Sequence, residues 1–485
     1  MSPPRFVPLA WATIFLVGAC AHYPHTRPTA ATDTTGRFGR GNYRFGNFPA
    51  SGRNSDSIFV VLTFSGGGTR AAAFAYGALL ELARTTIDTG AHTRSLLDEV
   101  DVISTISGGS FTGAYYALYG MDSLSSFENR FLNWNAEGAL KHQLLTPTLF
   151  RLASPNYSRS DLAAEVWDKR LFHGATFRNL VQRRTRPYLI INATDIAIGS
   201  PFSFTQEQFD PMCDNLSDFP IARAVAASSA FPGLLTPITV ENHAGHCAFS
   251  APIWAISDSG DIHLNADAYR AARDYFSYTE SGLRPYIHLM DGGPSDNLGI
   301  RPVLRGLTSI ARDFSLLRLQ GNGQLRRIVV IAINARTSDI SAINRNPNPP
   351  GIFGVLLAAA GVPFDNYSNE SLTRLQMLSV ERRATRLGAE CYNRLLAQVH
   401  PGVPPPDIAA LVPIDIVHIT FEEVKDPAAR AFFLGIPTSF ALPSATVARV
   451  RDVAGELLRE NEELQQILEA LRYQERREPT RCLRQ

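Results

Sequence analysis

The sequence predicts an α/β fold built on a largely parallel central sheet. Short, continuous apolar runs of strand length alternate with Ala/Leu-rich stretches of helical length. The runs lack the in-and-out alternation of a half-exposed strand, and a strand covered on both faces reads that way. Glycine clusters separate a run from the helix after it, at Ser65–Gly68 and at Ser107–Gly109. Strand–turn–helix units repeated along a chain build such sheets.

The first of these runs is preceded by a leader. Arg5 stands before the apolar stretch Phe6 to Ala19, which closes on Leu16-Val17-Gly18-Ala19 ahead of Cys20. A basic start, a short apolar stretch and small residues at its end describe a secretory signal over residues 1–19. The stretch falls short of the roughly 20 apolar residues a membrane span needs. Its Val-Gly-Ala-Cys ending resembles the lipobox of bacterial lipoproteins, which implies lipidation of Cys20. A plain signal cut nearby is the alternative. Ala21 stands where an aspartate would favour inner-membrane retention, so the expected address is the outer membrane, facing the periplasm. Residues 20–56 are rich in Thr, Arg, Gly, Pro and Asn with no apolar period, and read as a flexible tether.

The folded body is expected over 57–440. Ile58 to Phe64 is the first core strand, and Thr69 to Arg84 the first helix. Val100 to Ile106 and Ser110 to Leu118 form the second strand and helix. A mixed helical insertion follows over about 121–185. Pro187 to Ala193, Tyr286 to Met290 and Arg327 to Ile333 are further strands, and Ala222 to Ala230 is a small-residue helix. Gly351 to Val362 is apolar and reads either as a core helix or as an interfacial one. From Ser444 onward, Val447, Val450, Leu457, Leu458, Leu464, Ile467, Leu468 and Leu471 mark a long amphipathic helix, within a C-terminal helix and tail over 441–485.

Composition narrows the function. With 46 basic and 45 acidic side chains the net charge is +1, which points to no nucleic-acid partner. Beyond Cys20 the cysteines are Cys213, Cys247, Cys391 and Cys482. In an oxidising compartment these are candidates for disulfides, for instance Cys213 with Cys247 and Cys391 with Cys482, although four cysteines allow three connectivities. No Cys/His spacing suits a structural zinc, so no metal site is expected. His243 and His246 beside Cys247 lack a nearby fourth ligand.

Three segments carry chemistry, each at the end of an expected strand, the edge where open parallel sheets bind ligands. Ser65-Gly66-Gly67-Gly68-Thr69-Arg70 opens a helix, and its amides suit an anion or oxyanion. No Lys-Ser/Thr follows, so it is not a nucleotide phosphate loop. Thr105-Ile106-Ser107-Gly108-Gly109 places a serine on a sharp strand-to-helix turn, where Gly108 and Gly109 let strand and helix approach. The alternative is a helix N-cap. Asp291-Gly292-Gly293 puts a carboxylate at a strand end, and Asp-Gly is also a common turn pair.

In this order, with Ala226-Ala227-Ser228-Ser229-Ala230-Phe231-Pro232 between elbow and aspartate, the segments resemble the patatin-like phospholipase family, over roughly Ser57 to Arg301. The resemblance implies a three-layer fold and a lipid acyl hydrolase that needs no cofactor and acts on membrane phospholipid or another lipid ester. It places the nucleophile at Ser107 and its catalytic partner at Asp291. It implies an oxyanion hole from Gly66, Gly67 and Gly68, with Arg70 as the basic residue ending that loop. Ser65 replaces a common Asp and Ala71 a common Gly; neither change removes a backbone donor. Ser228 and Ser229 are expected to pack near the elbow, with no role assigned. A Ser-His-Asp triad through His288 or His418 is the mechanistic rival. An acyltransferase using the same acyl-enzyme, and a lipid-binding lipoprotein without catalysis, are the other functional readings.

Overall fold

A computed structural model of the chain describes residues 42–49, 54–55, 57–88, 93–143, 145–260, 266–308, 325–337, 347, 349, 351–406 and 411–472, excepting the side chains of 88, 258, 352–363, 365 and 472. Cys20 and Cys482 lie outside the described residues.

The centre is an eight-stranded sheet. Its strands are β1 (Ile58–Phe64), β2 (Val100–Ile106), β3 (Tyr188–Asp195), β4 (Ser200–Ser203), β5 (Ile238–Glu241), β6 (Tyr286–Met290), β7 (Arg327–Asn334) and β8 (Ile414–Thr420). They run in the order β8-β7-β1-β2-β3-β6-β5, with β4 also paired to β3. The five strands from β8 to β3 are parallel. β4, β5 and β6 join antiparallel. Every residue of β1 and β2 is buried, which explains their unbroken apolar runs.

Two strand–turn–helix units dominate the middle of the sheet. α1 (Gly68–Arg84) follows β1, and α2 (Gly108–Phe127) follows β2. α2 is kinked at Gly120, where φ is 72°. The insertion contains α3 (Ala136–Gln143), α4 (Arg159–Trp167) and α5 (Phe177–Arg183). It packs on α2 through aromatic rings: Phe131 stacks on Phe111 at 4.2 Å, and Trp167 meets Phe111 edge-on at 4.8 Å. α6 (Ile221–Ser228) lies against α2 and β3, and α7 (Ile300–Thr308) against α8 (Ile352–Val399).

The expected C-terminal helix is two helices, α9 (Ser444–Glu460) and α10 (Glu462–Arg472). Asn461 breaks them, and its side chain accepts the Leu464 N–H to restart the second. α9 packs so tightly on α1 that a Cβ at Gly77 would lie 2.0 Å from the Arg451 carbonyl.

The tether is shorter than its composition suggests. Tyr43, Phe45 and Phe48 are buried in the main core, with the Tyr43 hydroxyl donating to the Leu189 carbonyl at 2.7 Å. Three aromatic rings separated by Arg, Gly and Asn have no helical or strand period, yet they bury a large apolar area. Residues 42–49 therefore belong to the folded body. Ile352 to Val362 is helical, at the start of α8 with Gly351 as its N-cap, but the side chains of 352–362 fall outside the described residues. Among the described residues no helix is long and apolar enough to cross a membrane. Cys213 and Cys247 are disulfide-bonded. Cys391 is disulfide-bonded as well, to a partner outside the described residues.

Candidate active site

The turn between β2 and α2 places Ser107 at φ 48°, ψ −119°. A side chain rarely adopts this conformation, and such strain costs roughly 1–3 kcal/mol. Contacts on every side hold it. A Cβ at Gly108 would lie 2.0 Å from the Gly68 carbonyl oxygen, and one at Gly109 would lie 2.7 Å from the Phe64 Cβ. Both glycines are therefore required by close approach. Thr105, which makes the elbow more crowded, is accommodated by Gly113: a Cβ there would lie 2.5 Å from the Thr105 methyl.

Asp291 reaches the elbow along an unexpected route. β6 is antiparallel to β3 and overlaps it through only Met290 and Leu289, opposite Thr194 and Asp195. The strand ends there, and the chain turns beside Asn192, which itself pairs with Ile106 at the end of β2. The Asp291 N–H donates to the Ala230 carbonyl at 3.1 Å, and the Gly293 N–H donates to Asp291 Oδ1 at 2.8 Å. The Ser107 hydroxyl lies near the same carboxylate and favours its ionised form. Asp291 is 2 % exposed and Ser107 6 %. Burial pushes the Asp291 carboxyl up from 3.8 to about 6, against the opposing pull of the Gly293 amide and the nearby Ser107 hydroxyl.

The glycine loop contributes fewer free amides than expected. The Gly66 N–H is held by Asn297, at 3.1 Å to both its carbonyl and its side-chain oxygen. Thr69 N–H donates to the Ser439 carbonyl at 2.9 Å. Gly67 and Gly68, at φ 139° and 60°, make no hydrogen bond through their amides within the described residues. Their donors stand at the start of α1, where the helix dipole adds positive potential.

Arg70 does not supply a donor to the hole. Its guanidinium is buried and bonds the Ala335 carbonyl at 2.9 Å, the Ile436 carbonyl, and the Thr438 hydroxyl at 3.2 Å. Burial lowers its pKa to about 10. It ties the loop to the end of β7 and to a strap, residues 436–440. Ser65 acts alongside it, its hydroxyl accepting the Ala335 N–H at 2.9 Å.

Ser228 is the residue sequence reasoning placed near the elbow without a role. Its Oγ accepts the Ser107 N–H at 2.8 Å and donates to the Asn192 carbonyl at 2.6 Å, with Ser110 Oγ at 3.0 Å. Asn192 in turn bonds Ser104 and the Thr105 carbonyl. The Ala-rich run around Ser228 signalled a tightly packed helix; nothing local signalled its partner.

Neither histidine joins the pair. His288 lies on the exposed side of β6, with Nδ1 3.1 Å from the Thr239 hydroxyl. His418 lies on β8, three strands from β2, and bonds Asn334 at 3.2 Å. Burial lowers its pKa to about 4. No group of three or more His, Cys, Asp or Glu suited to a metal occurs among the described residues.

The family model for patatin-like phospholipases matches residues 62–304, half of the 485-residue chain. The chain belongs to the patatin-like phospholipase family. The match takes in the glycine loop, the serine elbow and the Asp-Gly-Gly turn, and leaves out β7, α8, the strap and α9. No curated protein sequence matches the chain. Among solved structures it is similar to human GIVD cytosolic phospholipase A2, at 14% identity and a TM-score of 0.44, covering 86% of this chain and 63% of that one. It is also similar to VipD from Legionella pneumophila, at 11% identity and a TM-score of 0.28, covering 82% and 67%. The chain thus spans about three fifths of the human enzyme's length.

Proposed function

We propose that the protein cleaves lipid carboxylic esters with a Ser107–Asp291 dyad, without a histidine. The observation that carries this is the pairing of a strained elbow serine with a buried, partner-poor carboxylate raised to about 6. A serine hydroxyl needs a base to take its proton as it attacks. Asp291, ionised above its raised pKa and held by a single backbone amide, serves as that base. Ser107 Oγ bonds to the ester carbon, and the carbonyl oxygen takes up negative charge. The amides of Gly67 and Gly68 face that charge; such a donor is typically worth ~3–4 kcal/mol in the transition state. Asp291 then returns the proton to the leaving alcohol as the C–O bond breaks. Water, deprotonated by the same carboxylate, releases the fatty acid.

The Val-Gly-Ala-Cys ending supports a second element of this reading: the enzyme is anchored through lipidated Cys20 in an outer membrane and meets its substrate there. A Cys20→Ala variant that still fractionates with membranes would overturn it.

The dyad is tested by fatty-acid release from phospholipid vesicles and from short-chain esters, with each variant checked for folding. Ser107→Ala and Asp291→Asn are expected to be inactive, and His288→Ala to retain activity within about twofold. Loss of activity in a folded His288→Ala variant would restore the triad. A wild-type protein inactive on every ester would refute hydrolysis.

A further inference from the structure

Resting on that reading, we infer that Phe364 and Phe231 form an apolar subsite for the leaving-alcohol half of the substrate. This favours esters whose alcohol carries a long chain, as in a diacyl lipid.

Asp291 fixes where the alcohol half of the ester lies. To return its proton, the carboxylate must reach the leaving oxygen within hydrogen-bond distance. The alcohol half of the ester therefore passes Asp291, while the carbonyl oxygen points to Gly67 and Gly68. Whatever stands beside Asp291 meets the alcohol. Gly293, whose N–H holds the carboxylate, has an aromatic ring directly on it. A Cβ at Gly293 would lie 2.3 Å from Phe364 Cε2. Phe231 meets Phe364 edge-on, with centroids 6.0 Å apart. Its own backbone follows Ala230, whose carbonyl anchors Asp291. Both rings are partly exposed, and Leu234, in the same loop as Phe231, is 39 % exposed. A partly exposed apolar wall beside a buried carboxylate suits a hydrocarbon chain, not a polar headgroup or a small alcohol. Phe364 lies on α8, beyond the residues the family model matches, whereas Phe231 lies within them.

The balance is that of an acyl transfer. The Ser107 Oγ–acyl bond forms, the ester C–O bond breaks, and the serine proton leaves on the alcohol through Asp291.

Two ester series separate the halves: butanoates of ethanol, hexanol and dodecanol, and ethyl esters of acids of the same range. The wild type is expected to gain at least about tenfold in kcat/KM along the alcohol series. Phe364→Ala and Phe231→Ala should erase most of that gain while leaving ethyl butanoate and the acyl series within about twofold. A uniform loss across both series would assign the rings a structural role and overturn the inference. A selective loss on the acyl series would also overturn it, moving the rings to the acyl side. Failure of the wild type on every ester would instead strike at the hydrolase reading. Phe364→Leu, which keeps apolar bulk, should retain the gain and guards against misfolding of the alanine variant.

Discussion

The backbone N–H of Ser107 is bonded to the side-chain oxygen of Ser228, 121 positions away, at 2.8 Å. The elbow is thus not held by its own turn alone. The same oxygen satisfies the Asn192 carbonyl, so α6, β3 and the elbow meet at one hydroxyl.

Ser228→Ala should lower stability by roughly 1–3 kcal/mol, because it strands a buried N–H and a buried carbonyl. It should also lower kcat more than it raises KM, since the serine loses its fixed direction. Denaturant unfolding and steady-state kinetics on a soluble ester check both. A stable variant with unchanged kcat would show that the turn geometry is self-sufficient.

The Asp291 carboxyl sets two opposite pH dependences. If it is the base proposed above, it works only when ionised, so kcat/KM should rise with pH through about 6. Stability should do the reverse. The folded state holds its proton more tightly than the unfolded chain, so stability falls as pH rises from about 4 through about 6. The loss is on the order of 3 kcal/mol. Asp291→Asn, neutral throughout, should therefore melt above the wild type at pH 8 and converge with it near pH 4. An identical gap at both values would rule out the buried charge as the cause.

Arg70 couples the glycine loop to the strap. Replacing it with lysine keeps a charge but loses the planar fork that reaches Ala335, Ile436 and Thr438. We expect a loss of about 2–4 kcal/mol, as for a broken buried charge network. The fall in kcat should come with an unmoved pH profile, because Asp291 is untouched. A shift of the profile would place Arg70 in electrostatic contact with the dyad.

The Cys213–Cys247 bridge closes a loop of 34 positions that contains α6 and therefore Ser228. Chain entropy assigns such a loop about 3–4 kcal/mol. Cys213→Ala/Cys247→Ala should unfold at correspondingly lower denaturant, and reducing agent should not destabilise that double variant further through this bridge. Equal midpoints for wild type and double variant would show that packing alone holds α6.

Much of the sheet was legible in the residues. β1, β2 and β6 fall at the expected positions, β3, β7 and the early helices shift by a few residues at their ends, and the short antiparallel β4 and β5 were not anticipated. Buried strands demand continuous apolar runs, and the two close approaches at the elbow demand glycine. Both signals lie in neighbouring residues. The long C-terminal helix was misjudged at one point because a single Asn461 interrupts an unbroken apolar period. The tether was overextended because Tyr43, Phe45 and Phe48 bury through shape rather than periodicity.

By itself, then, the sequence determined the α/β class, the serine on its turn, the aspartate after its strand and the family to which they belong. Each depends on backbone preferences and burial patterns encoded within a few residues. Tertiary structure decided the rest. It made β6 antiparallel, so that Asp291 arrives from the far side. It spent the Gly66 amide on Asn297, turned Arg70 away into the strap, left both histidines apart and set Phe364 against Gly293. A hydrogen bond or a ring contact between residues tens to hundreds of positions apart leaves no periodic trace, because its partners are chosen only when the chain closes on itself.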